Sequence, residues 1–323
     1  MKRLTGFFLL ALITWILPIL FPENYYVTVV GLTILVNITL AVSLNLLMGL
    51  AGQISLGHAA FFGLGAYSSA ILTIRYGLNP WLAMLIGVLI VFLLSYVLSR
   101  PILKLKGHYL AMATLGLGII VHIFFVQADE ITGGPDGITG LPALKIFSFV
   151  IDSDFKWYWV LSTLMLLSVL FSLNITDSRA GRALAAVHGS EIAAQMMGID
   201  TAKVKSQIFV FSAIIASITG SFFAHQQDFV SPESFSFFFS IELVTMVVLG
   251  GLGSTFGAVL GAFVLSILPE FLVVFEDFEV LIFGAILMAI MIFLPEGLFV
   301  TLTKRLPHLL SKRQREVTGS ASS

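Results

Sequence analysis

From Asn24 to Ile74 the chain runs for 51 residues without an Asp, Glu, Lys or Arg. A soluble surface is built from about 25% charged residues. This chain of 323 residues has 11% against 58% hydrophobic, with a mean hydropathy of +1.02. Four further stretches, Tyr76–Ser99, Gly107–Ala128, Trp157–Thr176 and Ser206–Gln227, are charge-free over 24, 22, 20 and 22 residues. A helix needs about 20 apolar residues to cross the hydrocarbon core. Only helices and closed barrels satisfy their own backbone there, and no alternating barrel strands are visible. The expectation is an all-α polytopic membrane protein.

Ten spans are read near 6–21, 25–48, 54–74, 80–99, 108–127, 157–175, 206–226, 237–252, 254–272 and 279–297. Phe235–Pro269 is short for two crossings and contains Glu242, so two short spans or a re-entrant pair around Gly250–Gly253 both fit, and the range is eight to ten. With a cytoplasmic N-terminus, 14 of the 17 basic residues fall inside, leaving only Arg75, Lys145 and Lys156 outside. That is the positive-inside pattern, and it puts the C-terminus in the cytoplasm too. Lys2 and Arg3 before an apolar run resemble a signal peptide, but no small-residue cleavage site follows, so a retained first helix is expected. Residues 1–303 read as one transmembrane domain. The basic tail 304–323, with Lys304 to Arg315, reads as an interfacial lipid anchor whose end is disordered. The absence of Cys excludes disulfides and thiolate metal sites, and the net charge of −1 gives no reason to expect nucleic acid.

One polar segment, 178–200, lies between apolar runs on the inside. Ser178 can cap a helix from Arg179 that Gly189 breaks. Ser190 can cap a second from Glu191 to Met197, with Gly198 as its stop. Glu191 suits the positive end of the helix dipole. So short a helix must pack on something. Ala193 and Ala194 allow close approach, while Ile192, Met196 and Met197 offer an adaptable apolar patch. By pattern alone, a plain link between two spans fits as well as a docking surface.

Two glycine clusters stand about 200 residues apart: Gly49, Gly52, Gly57, Gly63 and Gly65, then Gly250, Gly251, Gly253, Gly257 and Gly261. They fit tight helix packing, or broken helices beside a path. Their likeness hints at an internal duplication. Polar residues within spans are Asn37, Asn45, Gln53, Ser55, His58, His122, His225 and Glu242. A charge at the bilayer centre costs about 2.5–3.5 kcal/mol on insertion scales, so a deep Glu242 should face the protein interior. A lone His such as His122 reads as a satisfied interhelical donor.

Glu191-Ile192-Ala193-Ala194 followed by Gly198 resembles the EAA loop of ABC importer permeases. The stretch Gly49–Phe61, GLAGQISLGHAAF, resembles the signature of the branched-chain amino acid permease family, as do Gly133–Ile138 (GGPDGI) and Val248–Ser254 (VLGGLGS). Together these cover residues 25 to 300, and within the family the chain is most similar to the M-type permease. Gly189 and Ser190 stand where members often carry a charge before the loop Glu, and Gln195 where an acidic or small residue is expected.

The resemblance implies coupling to ATPase through Arg182, Ser190, Glu191, Ala193, Ala194 and Gly198. Their polarity within spans makes Asn45, Gln53, Ser55, His58 and Glu242 permeation-path candidates, His58 the more so for lying in the family-like stretch, and Gly250, Gly251 and Gly253 join them as a candidate helix break beside a path. The resemblance further implies alternating access, a homologous H-type partner permease, two cytoplasmic ATPase subunits and a soluble substrate-binding protein meeting outer loops 128–156 and 227–236. No cofactor is expected on this chain. ATP and Mg belong to the partners, since no GxxxxGK[ST] phosphate loop occurs here. A urea or short-amide importer remains open. A stand-alone carrier has only Glu242 for ion coupling, and an intramembrane enzyme lacks an acidic orienter for Ser55 and His58.

Overall fold

The computed structural model describes residues 2–21, 24–146, 149–272, 278–293, 297–299 and 301. The basic tail 304–323 and the acidic residues Glu23, Glu276 and Asp277 lie outside the described residues. The chain is mostly helical: α1 Lys2–Leu20, α2 Gly31–Asn45, α3 His58–Ile74, α4 Pro80–Ile102, α5 His108–Gln127, α6 Asp129–Thr132, α7 Asp154–Asp177, α8 Arg179–Gly189, α9 Glu191–Met196, α10 Thr201–Gln227, α11 Phe237–Gly250, α12 Thr255–Leu272 and α13 Glu279–Phe293. Single π-helical turns, Tyr26–Val30 and Leu46–Leu50, extend α2 at both ends.

Six helices among the described residues are long and apolar enough to cross a membrane: the extended α2, α4, α5, α7, α10 and α12. α3 and α11 are shorter apolar helices of 17 and 14 residues. The most apolar windows of α2 and α10 are 72% buried, against 33% for α4 and 22% for α5. These two helices are therefore the centre, and α4 and α5 lie outside them. α3 packs closely along α10, where a methyl on Gly65 would strike the Ser217 backbone and one on Gly220 the Phe62 carbonyl. Small residues serve this purpose in lipid, which supplies no hydrophobic drive between helices. Polar pairs join the same bundle: Asn37 Nδ2 donates to Ser266 Oγ at 2.8 Å, Ser172 meets Thr255 at 2.9 Å, and Ser69 meets His225 Nε2 at 2.9 Å.

The helices run between two ends. At one end Lys205 Nζ reaches the Leu103 carbonyl, Gly49 meets Gly253, and Gly6 lies on Phe256. At the other Trp81 Nε1 donates to the Lys145 carbonyl, His225 Nδ1 to that of Pro142, and Tyr26 stacks on Phe271.

Several sequence expectations need adjusting. Two small antiparallel ladders qualify the all-α expectation: Ile138–Thr139 (β1) with Phe229–Val230 (β4), and Leu144–Ile146 (β2) with Phe149–Ile151 (β3). The span expected from 54 begins as helix only at His58, and the one expected from 206 begins at Thr201. Region 235–272 is an antiparallel hairpin, with Gly250 against Gly257 and Gly261 against Met246. His122 is not satisfied, because its buried Nδ1 has no hydrogen-bond partner among the described residues. The residues one turn away on α5, Gly118, Ile119, Phe125 and Val126, carry no polar side chain to offer it.

Candidate coupling and translocation site

The 178–200 segment is assembled by its caps. Ser178 Oγ accepts from the Gly181 N–H at 3.2 Å to start α8, and Ser190 Oγ accepts from Ala193 at 3.3 Å to start α9. At the far end the Ile199 N–H bonds to the Ala194 carbonyl at 3.0 Å and the Gly198 N–H to that of Gln195 at 2.9 Å. This is a Schellman stop, and it requires the positive φ of 80° that Gly198 supplies. Gly181, Leu184 and Val187 are the buried face of α8, which seats on α7, α10 and the π-turn after α2. A helix of six residues is only about 9 Å long and cannot persist alone.

An ion pair fixes it. Lys205 Nζ lies 2.8 Å from Glu191 Oε1 and donates to the Leu103 carbonyl at 3.1 Å, while Lys106 Nζ lies 3.7 Å from Glu191 Oε2. Thr201 Oγ1 donates to Glu191 at 3.4 Å and accepts from Gln195 Nε2 at 3.0 Å. Lys205 is only 3% exposed. Burial by itself would raise the Glu191 carboxyl, but the Lys205 hydrogen bond and charge, with Lys106 and Thr201, outweigh it and hold the carboxyl below its ordinary value. A carboxyl lowered on folding stabilises at every pH above its unfolded value, and the benefit is lost as pH falls through the folded one. Hydrogen exchange of residues 191–205, corrected for intrinsic rate, should therefore stay protected down to roughly pH 4, near the free carboxyl range. Loss of protection between pH 7 and 6 would refute this assignment.

Glu191 thus turns toward its own chain rather than presenting its charge outward. The outward face is apolar, with Ile192 71%, Met196 85% and Met197 83% exposed beside exposed Ala193, while Ala194 is buried beneath. Arg182 is exposed and donates to the Asp177 carbonyl at 3.1 Å.

The two glycine clusters meet beside this segment. A methyl on Gly49 would lie 2.7 Å from the Gly253 Cα and closer still to its nitrogen. The Gly253 N–H donates to Asn45 Oδ1 at 2.9 Å, and Asn45 is 2% exposed. Gly251 has a φ of 113° where α11 breaks, and a methyl on Gly297 would strike it. A cleft of about 330 Å³ opens at this end, lined in part by Gly253, Ser254, Thr176 and Phe299.

The profile of the branched-chain amino acid transport system permease component family matches residues 8–294. The chain belongs to that family. The permease is 34% identical to LivM, the high-affinity branched-chain amino acid transport system permease protein of Escherichia coli, over 82% of this chain and 68% of LivM. It is 23% identical to LivH of Salmonella typhimurium over 80% of this chain and 89% of LivH. It is also 26% identical to the fructose import permease protein FrcC of Rhizobium meliloti, over 68% of this chain and 62% of FrcC. No solved structure matches the chain.

The other path candidates of this permease surround the break before α3. Gln53 Nε2 donates to the Ala51 carbonyl at 2.9 Å, so that side chain is spent locally. The Leu56 N–H donates to Thr114 Oγ1 of α5 at 3.0 Å, and Ser240 of α11 accepts from the Ala59 N–H at 3.3 Å. His58 is 1% exposed, with its Nε2 2.8 Å from Ser43 Oγ, and Ser212 Oγ donates to the Ser43 carbonyl at 2.7 Å. Ser55 is 2% exposed, and its hydroxyl has no partner among the described residues. Glu242 is half-buried on α11 and joins none of these bonds.

The structure therefore brings Asn45, Gly250, Gly251 and Gly253 together, groups Ser55 with His58 at the α3 start, and leaves Glu242 apart. Sequence reasoning missed Ser43, His188 and the pairing of Lys205. A count of charges by loop does not distinguish Lys205, which lies one turn into the helix that follows the polar segment.

Proposed function

We propose that this chain is the permease subunit of an ATP-driven ABC importer that moves leucine, isoleucine and valine through a bacterial inner membrane. In this reading ten helices cross, and both termini and the 178–200 segment are cytoplasmic. The end carrying Trp81, Lys145 and His225 is the outer one, where a soluble binding protein delivers the amino acid. A homologous permease pairs with this chain, and two ATPase subunits hold the ATP and Mg. Residues 1–303 form one membrane domain.

The carrying observation is α9. It is a short helix, capped at both ends, tied to α10 through Glu191 and Lys205, and presenting Ile192, Met196 and Met197 to solvent. Exposed methionines suit an adaptable contact with a partner groove. Closure of the ATPases would push α9, and α10 with it, rocking the bundle between outward and inward access. The helix pairs α2–α3 and α11–α12, each broken by a glycine turn at the same end, support an internal duplication with both copies running in the same sense.

Leucine uptake by the reconstituted transporter, in competition with valine, urea, acetamide and fructose, tests the substrate. The 34% identity to LivM favours the amino acids. Uptake of urea or acetamide instead would assign the chain to the amide importers. Replacing both Met196 and Met197 by Glu should leave the permease in the membrane but reduce co-purifying ATPase about tenfold or more, since desolvating two carboxylates opposes docking. Undiminished co-purification would place the contact elsewhere.

A further inference from the structure

His188 stands at the end of α8, three residues before Glu191, and its ring leaves the segment to touch a different part of the bundle. Nδ1 lies 3.1 Å from the carbonyl oxygen of Gly49, and a methyl on Gly52 would lie 3.2 Å from the ring. A carbonyl only accepts, so Nδ1 carries the hydrogen and donates. Gly49 is in the last turn of the extended α2, whose final carbonyls have no partner within the helix. His188 therefore caps a helix that is remote from it by 139 residues. The capped turn carries Gly49, directly follows Asn45, and through these two meets Gly253 at the break between α11 and α12.

We infer that His188 is the positioning residue linking the coupling segment to the glycine turns: its Nδ1–H holds the Gly49 carbonyl, so that displacement of α8 and α9 moves the Asn45–Gly253 junction. This rests on the proposed coupling role of α9. Two other features fit a moving link better than a fold anchor. His188 is itself exposed, so its bond does little to hold the core together. Its target is a single π-turn, a local irregularity that recurs at functional sites.

The test is the number of amino acids moved per ATP hydrolysed by the complete transporter in liposomes. Loss of stability in this chain lowers both rates together and leaves that ratio unchanged. Loss of a link lowers the ratio. His188→Ala should reduce it about fivefold or more, the equivalent of one good hydrogen bond. The amides separate position from polarity: Asn Nδ2 overlies His Nδ1, whereas Gln Nε2 overlies His Nε2. His188→Asn should hold the ratio within about twofold of the unchanged protein while His188→Gln falls with the alanine variant. Equal ratios in all three variants, or equal loss in Asn and Gln, overturn the link. If the unchanged transporter couples no ATPase at all, the reading of α9 has failed instead. Should the alanine variant not assemble, the Asn and Gln pair decides.

Discussion

Glu191→Ala is expected to loosen residues 191–205 more than Lys205→Met does, and the double replacement is expected to behave like Lys205→Met alone. The asymmetry follows from burial. Removing Glu191 leaves an ammonium that is 3% exposed and whose remaining hydrogen-bond partner among the described residues is the Leu103 carbonyl. Orphaning one member of a buried pair costs about 3–5 kcal/mol, and the lower end applies because the Glu191 side chain is 22% exposed. Removing Lys205 leaves a carboxylate that reaches water and still has Lys106 at 3.7 Å. Methionine keeps the length of the buried stem, so that loss is about 1.5 kcal/mol, one charge-assisted hydrogen bond. Deleting both partners removes the stranded charge, which is why the double variant should recover.

Hydrogen exchange on the purified permease measures each opening free energy directly. Additive losses in the double variant would mean that the two side chains do not act as a pair. The same comparison separates this role from direct contact with ATPase. In the complete importer, Glu191→Ala should lower uptake about tenfold or more with normal membrane insertion. Uptake by the double variant should then recover if Glu191 works through α10. It should stay low if the carboxylate touches the partner.

What was legible in the sequence is what short stretches of chain decide. Charge gaps of 20 residues and more mark helices whatever their neighbours, and Ser178, Ser190 and Gly198 set the ends of α8 and α9 through bonds spanning three to five residues. Pairings across the chain were not legible. Nothing in the composition of either glycine cluster says that Gly49 lies on Gly253, or that Ile138 pairs with Val230 in the ladder at the other end. Lys205 was counted by loop and sign, which places a residue at one end of a bundle but does not aim its side chain. The π-turn at Leu46–Leu50 has no Pro to announce it, and the apolar pattern carries the next span back to residue 54, four residues before the helix begins at His58. Conversely, Glu242 was singled out because its charge is conspicuous in an apolar run, and it stands outside the cluster that Asn45 organises.

Gly49→Ala carries the second large effect, and it bears on whether the glycine turns form a working junction or only a close contact. The added methyl would meet the Gly253 nitrogen and Cα and the Asn45 amide oxygen together, and two of those three atoms are backbone. Overpacking of this kind costs about 1–3 kcal/mol. Freeing Asn45, a buried acceptor at 2% exposure, adds about 1–3 kcal/mol for a hydrogen bond left unmade. The α11–α12 break must move away from α2, so uptake should fall about tenfold or more while the thermal midpoint in detergent drops. Gly116→Ala is the control, since a methyl there meets nothing within 4 Å. Adding Asn45→Ala to Gly49→Ala relieves the contact with the amide oxygen but leaves the one with the Gly253 backbone. The double variant should therefore remain as poor as Gly49→Ala. Recovery in the double variant would mean that the Asn45 side chain, and not the approach of the two backbones, sets the geometry of the junction. A Gly49→Ala protein as stable and active as Gly116→Ala would mean that the two glycine turns do not meet as described.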